Sequence, residues 1–174
     1  MMLPVRSASL LLTVLATAVV TVLPAAPPAA PAAPAAPASQ HGLGSDSARR
    51  EVRLLGQVNA ERRRAGCRRL RSRAALHASA AAHSAAMAAY GGLSHQVPGE
   101  RSLEQRIADA GYRNARLMAE VVAAGPRSPR EALRSWLDSP PHRAVILDCR
   151  LRLAGLGVHE RDGTLWWTVD LVRR

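Results

Sequence analysis

Between Pro24 and Ala38 the chain is built almost entirely of alanine and proline. Proline withholds backbone donors and alanine has little to bury, so the stretch predicts an extended, polyproline-like spacer outside any core. A compact domain must lie to one side of it. On the N-terminal side, Met1–Arg6 form a brief basic segment, and Leu10–Leu23 are apolar apart from Thr13, Thr17 and Thr21. That run falls short of the ~20 apolar residues of a membrane span and has the form of an export-signal core. Small residues (Pro24, Ala25, Ala26) follow at once, as a cleavage site requires. A retained N-terminal anchor is the alternative. The expected organisation is a signal peptide over 1–26, an Ala/Pro-rich linker over 27–46 and one domain over 47–174, with no transmembrane helix in the mature form.

Export changes the meaning of two other features. In an oxidising compartment the two cysteines, Cys67 and Cys149, are expected to pair rather than remain free thiols. The net charge of +11, with every one of the 24 basic residues an arginine, first suggests a nucleic-acid partner. An exported protein has little access to nucleic acid, so none is expected. The densest cluster, Arg62, Arg63, Arg64, Arg68, Arg69, Arg71 and Arg73, holds no aromatic residue on which bases would stack. It reads as a solvated basic face, and a patch for anionic envelope polymers or lipid headgroups is the alternative.

Punctuation in the domain is legible. Val52, Leu54, Leu55 and Val58 give Glu51–Ala65 a helical stripe that ends at Gly66. An alanine-rich helix is expected from Arg73 to Tyr90, closed by Gly91-Gly92. Ser102-Leu-Glu-Gln105 has capping-box form and opens a short helix to Ala110. Ser128-Pro-Arg-Glu131 repeats the signal with proline at the first helical position, and Ser139-Pro140-Pro141-His142 opens another short helix through Leu147. The period then changes: Leu153–Val158 and Leu165–Val172 are strand-like and joined by a turn containing Asp162-Gly163. Leu117–Ala123 suits a further strand. The pattern predicts an α+β domain, helices packed on a small, mainly antiparallel sheet.

Among the histidines, His77 and His83 stand six apart on one helix and do not share a face; both read as surface or core-edge residues. His95, after the loop Gly91-Gly92-Leu93-Ser94, and His142, at a helix start, are displayed where functional side chains sit. Glu120 is an isolated acid within an apolar run and needs a partner or a wet cleft. Two histidines and a glutamate suit zinc or another divalent cation, or an acid/base pair. No nucleophile elbow, phosphate loop or dinucleotide fingerprint accompanies them.

In order along the chain, several blocks resemble a bacterial CAP domain, of the superfamily of cysteine-rich secretory proteins, antigen 5 and plant pathogenesis-related proteins. They are Asn59-Ala-Glu-Arg62 with Ala65-Gly-Cys67, Ala82-His-Ser-Ala-Ala-Met87, Leu93-Ser-His95 and Ile107-Ala-Asp-Ala-Gly-Tyr112. Trp136-Leu-Asp-Ser-Pro-Pro-His-Arg143, Ile146-Leu-Asp-Cys149, Gly155-Leu-Gly-Val158 and Trp167-Thr-Val-Asp170 follow. The resemblance spans Glu51 to Arg174. It implies an α-β-α sandwich whose cleft carries His95, Glu120 and His142, with Ser139 standing where many eukaryotic members have a second glutamate. Ala119-Glu120-Val121 departs from the usual Gly-Glu-Asn. The resemblance also supports a Cys67–Cys149 bridge. It implies a secreted or envelope-associated monomer that binds a lipid, sterol-like or other cell-envelope ligand without catalysis, with metal at His95 and His142. An extracellular metal-dependent hydrolase with Glu120 as catalytic base, and a structural surface protein with a vestigial cleft, are the rival expectations.

Overall fold

The computed structural model describes residues 40–174; the expected signal segment and most of the Ala/Pro stretch lie outside the described residues. In chain order the elements are α1 (Gln40–Arg64), β1 (Arg71–Ser72), α2 (Ala74–Tyr90), α3 (Leu103–Asp109), β2 (Leu117–Ala124), α4 (Pro129–Asp138), α5 (Pro140–Ile146), β3 (Leu153–Arg161) and β4 (Thr164–Arg173). The sheet order is β1-β3-β4-β2. β2 and β3 both pair antiparallel with β4, and only the two-residue β1 runs parallel, to β3. The fold is α+β, as the pattern predicted.

Local chemistry accounts for most boundaries. Ser102 and Gln105 form the expected capping box. Ser128 Oγ accepts the Glu131 backbone N–H, with Pro129 at the helix start. Gly91 ends α2 in the left-handed conformation, φ 75°, where a side chain would be strained. At the β3–β4 turn Asp162 and Gly163 both have positive φ, 51° and 74°, the backbone twist that a two-residue hairpin favours. The helix α1 departs from expectation. It begins at Gln40, inside the stretch read as linker, and its early turns are not amphipathic, which is why periodicity missed them. An Asp46–Arg49 pair one turn apart supports that exposed segment.

Alternation along β4 separates two cores. Leu165, Trp167, Val169 and Leu171 face a cluster with Leu54 and Val58 of α1 and Leu133 and Trp136 of α4. Trp166 packs on the other face with Met87 and Ala88 of α2, and Val172 with Leu76 and Ile107. Helices therefore cover both faces. Two of the three buried indoles donate to backbone carbonyls: Trp136 Nε1 to Val122 O and Trp167 Nε1 to Pro126 O, each at 2.9 Å. Beyond β1 the outer edge of β3 is closed by side chains. Glu51 Oε1 accepts the Val158 N–H at 3.1 Å, and His77 Nδ1 meets Leu156 O at 2.7 Å. Covering an open edge in this way limits pairing with another chain.

Cys67 and Cys149 are joined, with Cα atoms 4.8 Å apart at a sequence separation of 82. Closing a loop of that length contributes about 4 kcal/mol on a chain-entropy basis. Beside the bridge lies a correction to the solvated basic face. Arg62 is fully buried, whereas Arg63, Arg64, Arg68 and Arg69 are exposed. Its guanidinium meets no carboxylate; it donates to the carbonyls of Arg68, Ile146, Asp148 and Leu151 at 2.7–3.3 Å. It ties the end of α1 to the α5–β3 connection.

Candidate functional site

The face of the sheet that carries α2 also carries the chemistry. Period 2 along β2 puts Glu120 on the same side as Val122, and the register places Asp170 of β4 directly opposite it. Glu120 Oε1 lies 2.8 Å from His95 Nδ1, and Arg106 Nη2 of α3 donates to Glu120 Oε2 at 2.8 Å. Arg106 also reaches the His95 carbonyl at 3.3 Å and so holds the loop that presents the ring. The His95 side chain is 59% exposed, against 3% for Glu120. One end of the network thus faces solvent while its charge is anchored inside.

A second layer supports the first. His83, fully buried on α2, holds Glu100 through Nδ1 at 2.8 and 2.9 Å and the Ser94 carbonyl through Nε2 at 3.0 Å. Its Nε2 stands 3.8 Å from Glu120. Glu100 also accepts the Val97 N–H at 3.1 Å. These contacts pin both ends of the Ser94–Glu100 loop. His83 is therefore part of the site, not the unengaged core-edge residue expected. His142 Nδ1 meets Ser139 Oγ at 2.8 Å, and no hydrogen bond or ion pair among the described residues joins it to His95 or Glu120. The structure brings together His95 and Glu120, and separately Ser139 and His142.

The charges fix protonation. The hydrogen bond to Glu120 raises the His95 pKa above the ordinary imidazole value, with burial opposing. Burial pushes the Glu120 carboxyl up, but the His95 hydrogen bond and the Arg106 charge outweigh it and hold its pKa below the usual value. Asp170 moves the other way. It is fully buried, and its two oxygens and Ser79 Oγ lack hydrogen-bond partners among the described residues. Burial, then the Glu120 charge, pushes its pKa up to about 8. A neutral, protonated Asp170 beside an ionised Glu120 is the arrangement that avoids two adjacent buried charges.

A pH prediction follows. Folded Asp170 keeps its proton to about pH 8, whereas in the unfolded chain it loses it near 4. Between those values the folded state binds more protons, so this group's contribution to stability falls as pH rises. Asp170→Asn is expected to remove that fall. The difference in thermal midpoint between pH 5 and pH 8 should shrink by on the order of 10 °C relative to wild type, as measured by circular dichroism melts. His95 contributes in the same direction in both proteins and cancels in the comparison.

The donor set does not fit a divalent metal. Glu120 spends one oxygen on His95 and the other on a guanidinium, so an ion at Glu120 would lie against the Arg106 positive charge. Among the described residues, no group of three or more His, Cys, Asp or Glu side chains converges closely enough to hold one. These contacts lend no support to the expected zinc or other divalent cation at His95 and His142. Arg106 supplies internally the positive charge that Glu120 requires.

Sequence reasoning found Glu120 and His95 but missed Arg106, His83, Glu100 and Asp170. For Asp170 the signal was present, because an acid between Val169 and Leu171 is as isolated as Glu120 in its own run. The others come from helices and loops, where no spacing rule links them to β2.

A sandwich of helices on both faces of a small mixed sheet, with a histidine–glutamate pair on the α2 face, places the chain in the CAP class. It belongs to the cysteine-rich secretory protein family, whose model matches residues 55–171. The uncharacterized protein YkwD of Bacillus subtilis is 30% identical over 118 residues, 67% of this chain and 44% of that protein. The chain thus spans less than half the length of that curated relative. In structure it is similar to an extracellular protein containing a SCP domain from Bacillus anthracis, with TM-score 0.73, 22% identity, and coverage of 80% of this chain and 45% of the other. An outer surface protein of Borrelia burgdorferi aligns with TM-score 0.65 and 18% identity, covering 71% of this chain and 91% of that one. These two likenesses concern the fold. Among the described residues no helix is long and apolar enough to cross a membrane.

Proposed function

We propose that the domain is a non-enzymatic binding module of the cell exterior, exported by residues 1–26, and that the cleft around His95, Glu120, Ser139 and His142 receives a hydrophobic or cell-envelope ligand. The observation that carries this reading is the closed charge balance of Glu120. A carboxylate held below its ordinary pKa, with both oxygens engaged by His95 and Arg106, is a weak general base and a firm anchor for a displayed histidine. That disfavours the hydrolase reading. Its apolar counterpart is local. Tyr90 and Leu93, on the chain leading to His95, are 59% and 56% exposed, two of the three large apolar side chains exposed among the described residues. Together they offer apolar contact beside a protonatable ring, suited to a ligand with a hydrocarbon part and a polar head.

The test uses a fluorescent long-chain fatty acid as probe. Wild type should bind it saturably, and a Tyr90→Ser/Leu93→Ser variant at least tenfold more weakly. In parallel, peptide and ester substrates should show no turnover that separates wild type from Glu120→Gln. Turnover abolished by Glu120→Gln would replace this reading with the hydrolase.

A further inference from the structure

Strand pairing gathers arginine at one end of the sheet. The Arg71 N–H of β1 donates to Arg152 O at 3.0 Å, the Arg152 N–H donates to Val172 O at 3.0 Å, and the Arg116 N–H donates to Arg173 O at 2.9 Å. Arg71 is in line with Leu153 and Val172, and Arg173 with Leu117, so these arginines gather at one end of the sheet but leave it on alternate faces. Three concavities adjoin there, of about 580, 220 and 640 Å³, and Arg174 lines all three. Arg73 and Arg113 each line two of them, and no aspartate or glutamate lines any. Arg71, Arg73, Arg113, Arg116, Arg173 and Arg174 form no ion pair among the described residues. Arg150, which lines the first of these hollows, is paired with Asp148.

We infer that this end of the sheet is a binding surface for a linear phosphate-bearing polymer. Guanidinium groups pair with phosphate in a planar, two-pronged geometry, and unpaired arginines lining adjoining hollows meet successive charges along one chain. A second copy of this protein is excluded as occupant by like charge. An anionic bilayer suits the surface less well. The exposed large apolar side chains, Val52, Tyr90 and Leu93, all lie outside this surface, and the arginines line hollows rather than one plane. The surface shares no residue with the His95–Glu120 cleft and does not depend on the reading given to that cleft.

The probe is medium-chain inorganic polyphosphate, titrated against the whole folded domain by fluorescence anisotropy at two salt concentrations. Wild type is expected to bind with an affinity that falls steeply with salt, since each neutralised phosphate releases counter-ions. Arg113→Ser/Arg116→Ser/Arg174→Ser, all at exposed positions lining these hollows, should weaken binding at least tenfold and flatten the salt dependence. Arg63→Ser/Arg127→Ser/Arg130→Ser removes the same charge from exposed positions elsewhere and should change binding less than threefold. Equal losses in the two triple variants would reduce the effect to net charge and overturn the inference. So would binding of wild type to phosphatidylglycerol vesicles without binding to polyphosphate, which would assign the surface to a membrane. Circular dichroism melts of both variants establish that any loss is not unfolding.

Discussion

Gly155→Val is expected to leave no stably folded protein. A Cβ at Gly155 would lie 2.0 Å from the Leu76 carbonyl carbon and 2.3 Å from the His77 nitrogen, and one at Gly157 would lie 2.3 Å from Ala80 O. These are backbone atoms of α2, so no rotamer change relieves the overlap; the helix would have to lift from β3. Lifting it would separate Leu76 from Leu153 and Val172 and break the Ser84 Oγ bonds to Gly157 O (3.0 Å) and Thr168 Oγ1 (2.8 Å). Each buried group left unpaired costs about 1–3 kcal/mol, and lost packing adds to that. The sum is comparable with the 5–15 kcal/mol stability of an ordinary domain. Loss of a cooperative thermal transition is the expected readout, and Gly155→Ala should lower the midpoint severely. Gly56, where a Cβ would meet nothing within 4 Å, is the control. Gly56→Ala in the interior of α1 should raise stability by about 0.5–1 kcal/mol.

Arg62→Leu is expected to cost on the order of 4 kcal/mol. The substitution removes a donor from four carbonyls, those of Arg68, Ile146, Asp148 and Leu151, of which Asp148 keeps the Leu151 N–H and Leu151 keeps Arg152; buried acceptors deprived of partners carry the full desolvation penalty. Burial and then the Arg152 charge lower the Arg62 pKa, yet several carbonyl dipoles converge on the guanidinium. Chemical denaturation should show a lower midpoint with an unchanged slope. Arg62→Lys should lose less, because an ammonium can satisfy some of the carbonyls. A loss under 1 kcal/mol in Arg62→Leu would contradict the clamp. The contrast with Arg63 and Arg64 on the same turn is instructive, since three adjacent arginines divide into one structural and two surface residues by helix phase alone.

What was legible in the chain follows from how locally each feature is encoded. Ser102, Ser128 and Asp162-Gly163 mark their boundaries within a few residues, and the helices and hairpin they delimit appear where expected. The two-residue β1 has no periodicity to detect and exists because Leu70 is buried, while Asn59 holds both its N–H (2.7 Å) and its carbonyl (3.1 Å). Glu120 was visible as a charge in an apolar run. Its counter-ion was not, because Arg106 sits on a separate short helix and is one arginine among many. Gly155 and Gly157 could be read as family blocks, but their reason, the close seating of α2, is a tertiary fact. The charge excess that first suggested nucleic acid includes the buried Arg62, the site cation Arg106 and a cluster at one end of the sheet.

Zinc titration by calorimetry tests most directly whether Arg106, and not a metal, balances Glu120. Titrated into wild type and into His95→Ala/His142→Ala, zinc should give the same small, non-stoichiometric heats. One-to-one binding in wild type that disappears in the double variant would contradict the closed His95–Glu120–Arg106 network and return the cleft to metal chemistry.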